Sequence, residues 1–210
     1  MENLLRKGMR MENMLNRAFE CVRQLCAKYN MDESHGMKHS MEVLDYTKQF
    51  YHRYLPYQPQ LAKQQHVVYA AAILHDMCDP KYVTEADGLR AIHSYMELFF
   101  SPEEFSMLSM IMTTISYSKV RKNGFPILGE WQFAYHMVRE SDLLASYDFD
   151  RCVMYGMYKE SLPYMDAIAR ARVLYHNRVL QYIKDGAFLT EFGLSKAYEL
   201  HGKAISVHLI

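Results

Sequence analysis

The chain of 210 residues carries 24 Lys plus Arg against 24 Asp plus Glu, and half of it is apolar or aromatic. That is long enough for one large domain with its own core, and too apolar for an intrinsically disordered chain. Balanced charge argues against an extended nucleic-acid surface, while leaving room for a local basic pocket.

Helical spacing dominates, and strand-like alternation is scarce. A first helix is expected over about 3–29, with Leu15, Ala18, Phe19, Val22, Leu25 and Cys26 as its stripe and Asn30 as its stop. A second runs from Gly36 or Met37 to about Tyr54, facing inward through Val43, Tyr46, Phe50 and Tyr54. The third covers about Ala62 to Asp76, and Pro80 forbids simple continuation. Thr84 caps a fourth, to about Phe100. Ser101-Pro102-Glu103-Glu104 opens a fifth, to about Ile115, with a capping Ser, Pro in the first position and acids in the first turn. Residues 116–129 read as a loop, holding Lys119, Arg121, Lys122, Gly124, Pro126 and Gly129. Helices then follow over Glu130 to Ser146, Arg151 to Glu160, Pro163 to about Lys184, and a short one over Leu194 to His201. No repeat or linker divides the chain. The expectation is one all-α helical bundle over 1–210, with a core at about 30–150 and additional C-terminal helices over 151–205.

Cys21, Cys26, Cys78 and Cys152 form no CxxC pair, which suits reduced thiols packed as small hydrophobes. The opening Met1 to Lys7 has no apolar signal-peptide region, and no apolar run reaches the ~18 residues of a membrane span. A cytoplasmic protein with no membrane partner is expected.

The chemistry concentrates at His75-Asp76, which closes the apolar run from Val67 to Leu74. A carboxylate there is costly to bury alone, and a divalent metal offsets the cost. His39 precedes Val43 by four residues, and Asp142 follows Val138 by four, so both fall on inward helix faces. Two imidazoles and two carboxylates from three helices make a mixed N/O ligand set. It suits one divalent ion from among Mn, Fe, Co, Ni and Zn, and suits Mg less well. Each residue alone also fits an ordinary role: a hydrogen-bonded core histidine, a helix end, or Asp142 paired with Arg139.

Three elements together resemble the HD-domain superfamily of metal-dependent phosphohydrolases: His39-Ser40-Met41-Glu42-Val43, Ala70-Ala71-Ala72-Ile73-Leu74-His75-Asp76, and Glu140-Ser141-Asp142-Leu143-Leu144. Glu42 stands where a basic residue is common in that family. The resemblance covers about half the chain, and implies an HD-type bundle with a single metal held by His39, His75, Asp76 and Asp142. Ile115-Ser116 stands where dinuclear members tend to carry a His-His pair, so His93 is left as a helix histidine or a residue on the substrate side. Asp79 keeps the spacing of an HDxxE-like run with a shorter acid, and is the expected group for orienting water or moving a proton. The alternative is a solvated turn acid before Pro80.

A phosphate substrate needs cations. Lys81 follows the site directly, and Lys119, Arg121 and Lys122 could close over a polyphosphate. Lys38 and Arg139 are further candidates, and His35 stands at the mouth of the second helix, where it can touch substrate. The resemblance implies hydrolysis of nucleotides or related small phosphate esters. A metal-containing nucleotide sensor without turnover is the alternative. The helices beyond 150 either cover the site or form a homodimer face.

Overall fold

The computed structural model describes residues 2–208, with side chains described over 8–206. The sequence reading of Met1 to Lys7 therefore rests on side chains outside that range. Every regular element is helical.

Helix α1 (Glu2–Tyr29) buries Met14, Ala18, Cys21, Val22 and Leu25, a stripe rotated slightly from the expected one. Asn30 ends it in the left-handed region at φ 51, and Met31 N–H donates back to the Cys26 carbonyl at 3.0 Å. Helix α2 (Met37–Tyr54) turns His39, Ser40, Val43, Leu44, Thr47, Phe50 and Tyr51 inward. Helix α3 (Leu61–Leu74) is buried on every face from Val67 to Leu74, which explains why that stretch of its sequence is apolar all round. It packs against α1 and α2 and against two later helices, α5 (Pro102–Thr114) and α7 (Gln132–Ala145). A 3-10 turn, His75–Cys78, continues it directly.

Helix α4 (Glu85–Met96) is capped by Thr84, which accepts from Asp87 N–H, and stops four residues short of Phe100. Ser101 and Glu104 form the full capping box of α5. The expected 116–129 loop is corrected: Ser116 caps a short helix α6 (Tyr117–Asn123), and a 3-10 turn at Gly129–Trp131 leads into α7. Gly124, at φ 76, terminates α6.

Helix α8 (Phe149–Tyr158), capped by Asp148, packs on α9 (Tyr164–Asn177). The expected long helix to Lys184 breaks at Arg178, and a 3-10 turn, Val179–Gln181, follows. Helix α10 (Glu191–His208) is longer than expected. It is anchored to α7 by Glu140, which is fully buried and accepts from Leu189 N–H at 2.8 Å and Thr190 Oγ1 at 2.6 Å. One apolar core runs from Met14 to Ala204. No described helix is long and apolar enough to cross a membrane.

Candidate metal centre

Three elements bring the four expected ligands to one point. Residue His39 lies in the first turn of α2, His75 and Asp76 in the 3-10 turn after α3, and Asp142 in the last turn of α7. The two Nε2 atoms of His39 and His75 are 3.1 Å apart. His39 Nε2 lies 3.3 Å from Asp142 Oδ1 and 3.5 Å from Asp76 Oδ2. His75 Nε2 lies 3.4 Å from Asp76 Oδ2 and 3.5 Å from Asp142 Oδ1. Donors around an ion at roughly 2.1 Å sit about 3.0 Å apart at adjacent octahedral corners, and about 3.4 Å apart at tetrahedral ones. The five separations span that interval, so the donor set fits a first-row divalent cation. His39, His75 and Asp142 each offer a ligand atom within 4.8 Å of the others.

The surrounding bonds favour the same orientation. His75 Nδ1 faces the Ala72 carbonyl at 3.0 Å, which fixes the proton on Nδ1 and leaves the Nε2 lone pair for a ligand bond. Arg151, on α8, donates from Nη2 to Asp76 Oδ2 at 3.3 Å and from Nε to the Ser34 carbonyl. It thereby holds both the Asp76 carboxylate and the mouth of α2.

Among the protein groups alone, four ionisable side chains share one buried space. Burial opposes charge on Asp76, but the His75, His35 and His39 imidazoles outweigh it and hold the carboxyl well below its usual range. Asp142 is held down in the same way by His39 and His75. Burial would also lower His75, but the Asp76 charge and the hydrogen bonds to Asp142 and Asp76 overcome it and push His75 up to about 10. His39 is pushed down to about 4, by burial first and the Arg151 charge second. One proton therefore sits between the two imidazoles near neutral pH, on His75. A raised histidine is protonated until pH climbs through its folded value, so a cation arriving at pH 7 must displace that proton. Metal affinity is expected to rise about tenfold per pH unit between roughly 5 and 9, with about one proton released. Calorimetric titration with Mn²⁺ in buffers of different ionisation enthalpy measures the count; no proton release would contradict the shared-proton site.

A cleft of about 210 Å³ opens beside the four residues and is lined by two of them. Asp76 and Asp142 lie on its floor, and His35, Asp79 and Lys81 on one side. His35 is 7% exposed and pushed down to about 3, chiefly by burial with Arg151 and Lys81 adding to it against Asp76. Its Nδ1 meets Ser34 Oγ at 2.7 Å, and Lys81 Nζ lies 3.3 Å from its Nε2. Lys81 also binds Asp79 Oδ2 at 3.1 Å, so these two expected site residues reach the cleft as an ion pair.

Six other candidates lie elsewhere. Arg139 is corrected most sharply: it is 1% exposed, pairs with Glu140 at 3.3 Å and lies under Phe125, so neither Asp142 nor a substrate is its partner. Lys38 pairs with Asp148 at 2.6 Å outside the cleft. His93 is exposed against Glu97 and Phe105. Lys119 binds Glu85 and the Thr113 carbonyl, and Arg121 binds Asp185. With Lys122 these two ride on α6, away from the cleft lining. A helix held by its own ion pairs is not a flexible clamp.

Besides Lys81, the cations that line the cleft are Arg151, Arg170 and Arg178, beside Tyr155 and Tyr182. Sequence reasoning missed them. Their signal was present: Arg170, Leu174 and Arg178 recur every four residues, one face of a helix. Cys78, two residues past Asp76, is buried with its thiol pushed up to about 12, which leaves it inert. No protein-family model, curated protein or solved structure matches this chain.

Proposed function

We propose that this chain is a metal-dependent phosphohydrolase of the HD type, acting on nucleotides or related small phosphate esters. The reading is carried by one observation: four side chains of metal-ligating type converge beside a cleft that two of them, Asp76 and Asp142, line together with Lys81, Arg151, Arg170 and Arg178. A divalent ion bound there supplies Lewis-acid polarisation of a phosphoryl oxygen and acidification of water. The chain's own residues do the remainder. His39 and His75 offer imidazole lone pairs. Arg151 orients Asp76 through its Oδ2. Arg178 offers its guanidinium to the negative charge of a phosphate, with Lys81 and Arg170, each in an ion pair of its own, beside it in the lining. Tyr155, Leu174 and Tyr182 give apolar surface for a leaving group. Asp79 stands at the cleft edge on the Lys81 side, within the wall where it can orient water or accept a proton.

The test is product analysis with nucleoside mono-, di- and triphosphates and Mn²⁺, Co²⁺, Ni²⁺, Fe²⁺ or Zn²⁺ in turn. Release of phosphate or pyrophosphate is expected. Saturable binding with no turnover would replace the hydrolase by a nucleotide sensor, and neither binding nor turnover would end both. In the same assay, Asp79→Asn is expected to keep its metal and lose about 10²- to 10⁴-fold in kcat. An unchanged rate would make Asp79 a partner of Lys81 only.

A further inference from the structure

Four basic side chains line the cleft, and three are neutralised inside the protein. Arg151 pairs with Asp76, Lys81 with Asp79, and Arg170 with Glu160 at 2.5 Å. Arg178 makes no ion pair among the described residues. Its Nε donates to Tyr182 OH at 3.3 Å, and its guanidinium lies 5.6 Å from the centre of the Tyr117 ring. The chain breaks there, at φ -128 and ψ -65, where α9 ends. Arg178 lines the cleft wall together with Arg170 and Leu174.

A partly buried cation without a counter-ion is costly, and folded chains seldom keep one unless something else uses it. Against burial, Tyr182 and the charge of Asp142 sustain this guanidinium. Asp142 is a member of the ligand set, so its charge is shared with whatever cation the four donors hold. The missing partner of Arg178 is an anion entering the cleft.

We propose that Arg178 is the phosphate-recognition residue of this cleft, its planar fork binding phosphoryl oxygens and restricting the site to phosphorylated ligands. The choice of phosphate rests on the hydrolase reading; the choice of residue rests on the solitary guanidinium. Arg is suited to the task because its fork matches two phosphate oxygens at once. A residue kept for a ligand contributes little to the protein alone, so removing its charge should leave the fold intact.

The probe is inorganic phosphate, read by thermal shift and calorimetry on the full chain, Mn²⁺-loaded and EDTA-treated. Phosphate is expected to raise the Tm of the wild type. Arg178→Met, which keeps the apolar stem against Tyr117, is expected to weaken phosphate binding by about tenfold or more with no fall in the phosphate-free Tm. Retained phosphate binding in R178M would overturn the proposal. So would a wild type indifferent to phosphate. A phosphate-free Tm lower by more than about 5 °C, or failure to fold, would mark a structural guanidinium and overturn it too. Absence of turnover on the nucleotide panel, with phosphate binding lost in R178M, would remove the hydrolase and leave Arg178 in place.

Discussion

If the proposed metal-dependent hydrolase reading holds, His75→Ala is expected to abolish both divalent-metal retention and turnover. His75 Nε2 is within 3.1 to 3.5 Å of a donor atom on each of the other three ligands. Its loss opens the polyhedron from the side on which every other donor converges. Even groups that only hydrogen-bond to a ligand cost about 10- to 100-fold in metal affinity when removed, so a direct ligand should cost more than about 100-fold. A second effect has the same origin. In the protein alone, protonated His75 is the positive charge between Asp76 and Asp142. Because its folded value is raised to about 10, that contribution to stability is complete below the unfolded value near 6.5 and disappears as pH rises through the folded one. His75→Ala should therefore also lower the Tm of EDTA-treated protein at pH 6, and the penalty should shrink as pH approaches 10. His75→Gln, which restores size without charge, should repair neither. Elemental analysis gives metal per chain, and thermal melts across pH give the rest. Full metal occupancy in His75→Ala would end the metal-centre assignment.

The fold and half of the site were legible for one reason: their signals are local. Helix α3 reads as buried because eight consecutive positions from Val67 to Leu74 are apolar or aromatic, up to the His-Asp pair. The Ser101 cap and Glu104 are fixed by a spacing of three, and they form as expected. The four ligands could be ranked because each sits on a face that its neighbours at i±4 define. The cleft walls were not local. Arg151 meets Asp76 across 75 positions of sequence, and the spacing of Arg170, Leu174 and Arg178 marks one helix face without saying that this face lines the same cleft. Basic residues on α6 looked suitable because loop composition resembles a clamp; their partners, Glu85 and Asp185, lie 34 and 64 positions away in sequence and no periodicity could pair them. Arg139 was assigned by helical distance to Asp142, but burial decides its partner, and the neighbouring Glu140 carboxylate is the one inside the core. Sequence spacing gives the face of a helix; the opposite wall comes only from packing.

Gly88→Ala is expected to be strongly damaging although the residue has no chemistry of its own. Gly88 lies within α4, where that helix crosses the 3-10 turn carrying His75 and Asp76. A Cβ at this position would stand 2.7 Å from Cys78 Cα, 2.8 Å from Cys78 Cβ and 2.8 Å from the Met77 carbonyl oxygen. Two of those atoms are backbone, so no rotamer change relieves the contact. Met77 and Cys78 are themselves buried, which prevents the turn from retreating. Overpacking of this kind costs about 1–3 kcal/mol, and more where backbone must move. Spread over a chain of this size, that is a fall of roughly 5–10 °C in Tm. Relief requires α4 or the turn to shift, and displacement of the turn moves His75 and Asp76 relative to His39 and Asp142. Ligand positions matter at a few tenths of an ångström, so weaker metal retention should accompany the lower Tm. Gly202→Ala is the matched control: that glycine lies in α10, nothing stands within 4 Å of its Cβ position, and alanine there should hold or slightly raise the Tm. Melts and metal content of both variants decide it. A Gly88→Ala protein that melts within about 1 °C of wild type with full metal would mean that α4 does not brace the ligand turn.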